Sequence, residues 1–128
     1  HPDFSLPIVS HPAFSGANVV SPECGFSHRV YFGLLQRLMG VDAVVYPNFG
    51  GRFGFTRDEC RSIANACAAD LGGPKTIVPA PGGGMTFARI PEMREAYGAD
   101  VMYLVGGALL QEDDLVSACR RLVEAVNG

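Results

Sequence analysis

Residues 101–107, Val-Met-Tyr-Leu-Val-Gly-Gly, are five apolar side chains in a row that stop on two glycines. A strand wetted on one face alternates polar and apolar residues, whereas a parallel strand covered on both faces does not need to. The run therefore reads as a buried parallel strand. A helix pattern follows it, with Glu112, Asp113 and Asp114 at its start and Arg120 and Arg121 near its end, the polarity that suits a helix dipole.

The same unit recurs three times upstream. Residues 76–80 (TIVPA) read as a third strand, and a short helix then begins near Ile90, with Pro91 in its first turn, and ends before Gly98. Residues 43–46 (AVVY) read as the second strand, ended by Pro47. Thr56 and Glu59 form a T-x-x-E capping box that opens the next helix, closed by Gly72, Gly73 and Pro74. Residues 6–10 (LPIVS) read as the first strand. Val30, Leu34, Leu35 and Leu38 give a helical period over residues 27–39, stopped by Gly40. Four βα units with short connections imply a parallel sheet with right-handed crossovers. Two architectures satisfy this: a doubly wound sheet, or half of a (β/α)₈ barrel, which takes about 250 residues when whole.

The chain has 128 residues, one domain at most, and 48% of them are apolar, which excludes disorder and collagen-like structure. It contains no apolar run of about 18 residues and no secretory pattern, so neither a membrane span nor an export signal is expected. A first residue of His1 rather than Met reads as a processed or excerpted chain. Ten Lys and Arg against 13 Asp and Glu leave a net charge of −3, which argues against a nucleic-acid groove. The charged fraction of 18% lies below the usual value of about 25% and is expected of a surface partly covered by more protein. Cys24, Cys60, Cys67 and Cys119 contain no C-x-x-C pair, so zinc is not expected; they read as small hydrophobes in a reducing compartment, the cytoplasm.

Sixteen residues are glycine, well above the usual share of about 7%, and they gather after the strands. Ligands of parallel α/β folds bind at the C-terminal strand ends. Gly82, Gly83 and Gly84 follow the third strand, and Gly106 and Gly107 the fourth. Backbone N–H groups without a Cβ in the way can approach an anion closely, so these clusters read as a phosphate site. Neither a P-loop nor a complete dinucleotide fingerprint is present. Arg52 lies in a glycine-flanked loop among Phe49, Phe53 and Phe55, where its guanidinium can close on a carboxylate or phosphate. His11 ends the first strand, where catalytic groups of barrels gather, and Asn48 is a polar residue of the second loop; His28, near a helix start, reads as a surface or capping residue.

HPAFSG (residues 11–16), GVDAVVYPNFGGRF (40–53), PAPGGGM (79–85) and the closing VGG (105–107) resemble the C-terminal half of the RuBisCO large-subunit superfamily, on the side of the RuBisCO-like, form IV proteins. The resemblance implies a (β/α)₈ barrel, with residues 1–128 supplying strands five to eight and their helices. It places Gly84, Gly106 and Gly107 at a substrate phosphate, with Gly83 and Asn48 as further candidates for substrate binding from their loops, His11 at substrate oxygens, and Arg52 where carboxylases hold a mobile-loop lysine. Pro12 and Val45 stand where the family has basic residues for a second phosphate, Ser15 where it has a histidine, and Gly82 where it has a serine. CO₂ fixation on a bisphosphate is therefore not expected. The resemblance implies Mg²⁺-assisted enolisation of a phosphorylated sugar or sugar acid by the whole enzyme, of isomerase, enolase or decarboxylase type. The metal ligands would lie upstream of His1, leaving this half inactive alone. Two alternatives stand beside this reading: a non-catalytic phosphate-binding module with a doubly wound fold, and a half-barrel that serves interaction only. Half a barrel has two open edges, so a homodimer or pairing with the N-terminal half is expected.

Overall fold

The structure is a computed structural model describing residues 5–128. Strands β1 (Val9–Ser10), β2 (Ala43–Pro47) and β3 (Val78–Gly82) form a parallel sheet in the order β1-β2-β3. Ala43 lies opposite both Val9 and Val78. The predicted first strand shrinks to two residues. Pro7 has no N–H to offer, and the Ile8 N–H donates to the Asp42 side chain (Oδ2, 2.7 Å) instead of to a ladder. The third strand begins at Val78 rather than at Thr76, because the Ile77 N–H is held by the Cys67 carbonyl (3.1 Å) and Val78 makes the first bond to β2, to Asp42 O (2.8 Å).

Residues 101–105 depart furthest from expectation. They lie along β3 but join it through a single bridge, Gly82 to Leu104. The Met102 and Leu104 N–H groups donate to the carbonyls of Pro79 (3.0 Å) and Pro81 (3.3 Å). A parallel ladder also needs return donors along that edge, here the N–H groups of residues 79 and 81. Both are proline, so β3 offers this neighbour acceptors only.

The helices are α1 (Gly16–Val19), α2 (a π-helical stretch Arg29–Leu34 continued by the α-helical turn Leu35–Leu38), α3 (Arg57–Ala68), α4 (Ile90–Tyr97), α5 (Gly107–Leu110) and α6 (Leu115–Asn127). The capping box forms as expected: Glu59 N–H donates to Thr56 Oγ1 (3.2 Å), and Thr56 N–H to Glu59 Oε2 (2.8 Å). Asp114 caps α6 by accepting from the Val116 and Ser117 N–H groups, both at 3.1 Å. Arg120 and Arg121 fall in the middle of that helix rather than near its end.

Val44 and Tyr46 of β2 face the helices and pack with Phe32, Cys60, Ile63, Cys67 and Met93. Burying each large apolar side chain of that set contributes about 2 kcal/mol. Arg37, only 2% exposed, donates to the carbonyls of Ala66 (2.8 Å), Ala69 (2.5 Å), Pro74 (2.7 Å) and Lys75 (2.8 Å), so it occupies the orphan carbonyls at the end of α3. The opposite sheet face carries Val9, Val45, Val78 and Ala80 by strand alternation. Val9 and Val78 on it stand 54% and 39% exposed. Helices α2, α3, α4 and α6 touch in chain order, as the strands do. A doubly wound sheet would reverse its strand order at a switch point and put helices on both faces; the described strands show no reversal.

Candidate functional site

The C-terminal ends of the strands surround a cleft of about 580 Å³. His11, Phe14 and Ser15 line it from the first loop, Val45 and Pro47 from β2, Phe53 and Phe55 from the second loop, and Gly82, Gly83 and Leu104 from the far side. Its wall is mostly apolar. Phe14 stands at its rim, 96% exposed, with φ of 56°. A bulky residue in the left-handed region costs about 1 kcal/mol or more, and such strain gathers at ligand sites.

Of the predicted site residues, His11 and Gly83 line this cleft. Gly106 and Gly107 end the segment that runs beside β3, and a Cβ at either would meet nothing within 4 Å. The same holds at Gly83. These three leave the open backbone that an anion cradle needs. Gly84 plays a different part: at φ +64° its Cβ would come 2.8 Å from Gly51 Cα, so the loops after β2 and β3 meet there backbone to backbone. Arg52 is exposed, its guanidinium 5.0 Å from the ring centre of Phe53, whose ring borders the cleft.

Asn48 corrects the sequence reading. It is 1% exposed and points into the core. Its amide nitrogen lies 3.0 Å from Met85 Sδ and 3.2 Å from Met93 Sδ, and its carbonyl accepts from the Tyr97 hydroxyl at 2.6 Å. Burial pushes the Tyr97 hydroxyl up, so it stays a donor at neutral pH. With each of its polar atoms engaged there, the Asn48 side chain anchors the loop rather than a substrate.

His28 lies away from the mouth. Its Nδ1 is 3.3 Å from Glu59 Oε1, and its ring meets Phe55 edge-on at 4.4 Å. Residues that sequence reasoning missed are Leu104 and Phe14 in the cleft wall, and Arg89, which bridges the two loops. Arg89 gave no pattern signal for this bridge, because its partners in the loops are backbone carbonyls, Gly84 five residues back and Phe49 forty. Among the described residues, no group of three or more His, Cys, Asp or Glu could hold a metal ion.

No protein-family model matches the chain. It is 42% identical over 120 residues to 5-methylthioribulose-1-phosphate isomerase of Rhodospirillum rubrum, covering 93% of this chain and 30% of that protein. It is 37% identical over 108 residues to 2,3-diketo-5-methylthiopentyl-1-phosphate enolase of Exiguobacterium sibiricum, covering 84% of this chain and 27% of that protein. The crystal structure of a RuBisCO-like protein from Rhodopseudomonas palustris superposes with a TM-score of 0.81 at 34% identity, over 95% of this chain and 31% of that one. The chain's homologues are RuBisCO-like proteins. It spans less than a third of the length of these relatives. Glycines stand at the end of β3 and at the end of the segment beside it. Pro12 and Val45 border the cleft and put apolar surface there, at the positions where the resemblance places basic residues in the family. No described helix is long and apolar enough to cross a membrane.

Proposed function

We propose that this chain forms strands five to eight of a (β/α)₈ barrel. It supplies the phosphate-binding side of the mouth of a cytoplasmic enzyme that enolises or isomerises a phosphorylated sugar derivative. The observation that carries the reading is the cleft itself: open glycine backbone at one end, and an apolar wall at the other. Two relatives are named for substrates that combine one phosphate with a methylthio group, and such a molecule suits a site with one anion end and one apolar end. A bisphosphate would face Pro12 and Val45, which donate no hydrogen bond from their side chains.

The roles follow from placement. The N–H groups of Gly83, Gly106 and Gly107 take the phosphate, with Gly84 packing the two loops together beside them. His11 at the cleft floor hydrogen-bonds substrate oxygens next to the reacting carbon. Arg52 swings on its glycine-flanked loop to hold an anionic oxygen and exclude water. Phe14, Val20 and Phe53 cover the apolar end. A magnesium ion would stabilise the enediolate in this class of reaction; the described residues do not hold it, so this chain's share is binding and orientation.

Inorganic phosphate tests the site. Gly106→Val is expected to weaken binding at least tenfold, about 1.4 kcal/mol, because the side chain enters space that is now empty. Its melting temperature is expected to stay the same for that reason. Unchanged affinity would reduce the glycines to turns. For the whole enzyme, turnover of a methylthio sugar phosphate without carboxylation of ribulose bisphosphate is expected, and robust carboxylation would refute the reading.

A further inference from the structure

We propose that Arg89 is a positioning residue: its guanidinium straps the loop after β2 to the loop after β3 and so sets the backbone of the anion cradle. This rests on the anion site argued above. Arg89 closes the short 3₁₀ turn Phe87–Arg89 that leads into α4. Its Nη1 donates to the Gly84 carbonyl at 2.9 Å, its Nη2 to the Phe49 carbonyl at 3.1 Å, and its Nε to Glu92 Oε2 at 2.9 Å. The group also lies 5.2 Å from the Phe49 ring centre.

The two loops are shaped for this strap. At Gly50, φ is +70°, and a Cβ there would come 3.0 Å and 3.1 Å from the two terminal nitrogens of Arg89. Gly84 and Gly51 touch backbone to backbone beside it. Fixing the Gly84 carbonyl fixes the Gly84–Met85 peptide plane, one residue beyond Gly83, and fixing the Phe49 carbonyl sets the origin of the loop that carries Arg52. Each of the three arms of the fork named here already has a partner within the protein, so Arg89 acts through the loops. A lysine keeps the charge but cannot reach both carbonyls and Glu92 from one rigid plane.

The test is a titration of the intact protein with inorganic phosphate, followed through the amide signals of Gly83 and Gly106, with thermal melting in parallel. The wild type is expected to bind, and Arg89→Lys to bind about tenfold more weakly while still melting as a folded protein. Added guanidinium ion is expected to restore most of the affinity lost in Arg89→Ala, and an equal concentration of sodium salt to restore none. A general loss of packing would not respond to guanidinium in this way. Wild-type affinity in Arg89→Lys would overturn the inference and leave the anion site standing. Absence of phosphate binding by the wild type would overturn the anion site, and the strap with it. If the Arg89 variants fail to fold, Glu92→Gln carries the test, because it keeps the guanidinium and weakens its third tether. Weakened binding in that variant supports the strap, and unchanged binding overturns it.

Discussion

Gly33 and Ala66 hold α2 and α3 at a separation that leaves no room for one more carbon: a Cβ on Gly33 would lie 2.5 Å from that of Ala66. Alanine is the better helix former by about 1 kcal/mol, but overpacking a buried contact costs about 2 kcal/mol. Gly33→Ala is therefore expected to destabilise by about 1 kcal/mol net, seen as a lower denaturant midpoint at unchanged slope. Adding Ala66→Gly should relieve the clash. A midpoint that rises in the single variant would show that the helices can separate freely.

Glu59 gives the fold an acid limit. Burial pushes its carboxyl up, but hydrogen bonds from the Thr56 N–H and hydroxyl, with the charge of His28, outweigh that and leave it below the usual glutamate value. A depressed folded value contributes stability above the unfolded value of about 4.3, and that contribution is lost as pH falls through the lower folded value. Wild type is expected to melt above Glu59→Gln at pH values above the unfolded glutamate value, and the gap is expected to narrow as pH falls below it. A gap that stays constant with pH would mean that the carboxylate charge does nothing at this cap.

The four cysteines divide by burial. Cys60 and Cys67 lie in the core, and burial raises their thiols to about 11 and about 12. Since the thiolate is the reactive form, neither is expected to react with a thiol reagent at neutral pH until the protein unfolds. Cys24 and Cys119 are exposed and should label in the native state. Counting modified thiols by mass before and after denaturant checks this; four fast thiols in the native protein would contradict the core assignment.

Assembly tests the half-barrel reading. Met102 is 40% exposed on the segment beside β3, whereas its neighbour Tyr103 packs against the core. If the open sheet face and its last edge pair with another chain, Met102→Glu should shift the protein toward monomer in sedimentation while preserving its circular dichroism. Tyr103→Glu should instead lower stability outright. A wild-type chain that stays monomeric at high micromolar concentration would contradict the proposal that this sheet is half of a barrel.

The sequence carried the alternation of strands and helices because each signal is local. Thr56 and Glu59 announce a helix start by bonding to each other's backbone, and Pro91 marks the first turn of α4. The glycines after β3 and before α5 marked the C-terminal ends of the parallel segments, since those ends are wherever the strands stop. Two strand readings failed at prolines. The apolar run 101–105 met the pattern of a buried strand, but the pairing also depended on its neighbour, and Pro79 and Pro81 had removed the donors.

Which loop residue faces the cleft was decided only in three dimensions. Asn48 is polar and lies in the right loop, yet the chain turns its amide onto Met85, Met93 and Tyr97, tens of residues away. The contacts of Arg37 and Arg89 to backbone carbonyls were equally unreadable, because such contacts leave no trace in side-chain spacing. The sequence by itself determined the order of elements, the family resemblance and the glycine-lined end of the sheet, all set by short-range backbone preferences. The tertiary structure alone decided the orientation of Asn48, the strap at Arg89 and the open sheet face, because each depends on contacts between residues far apart in the chain.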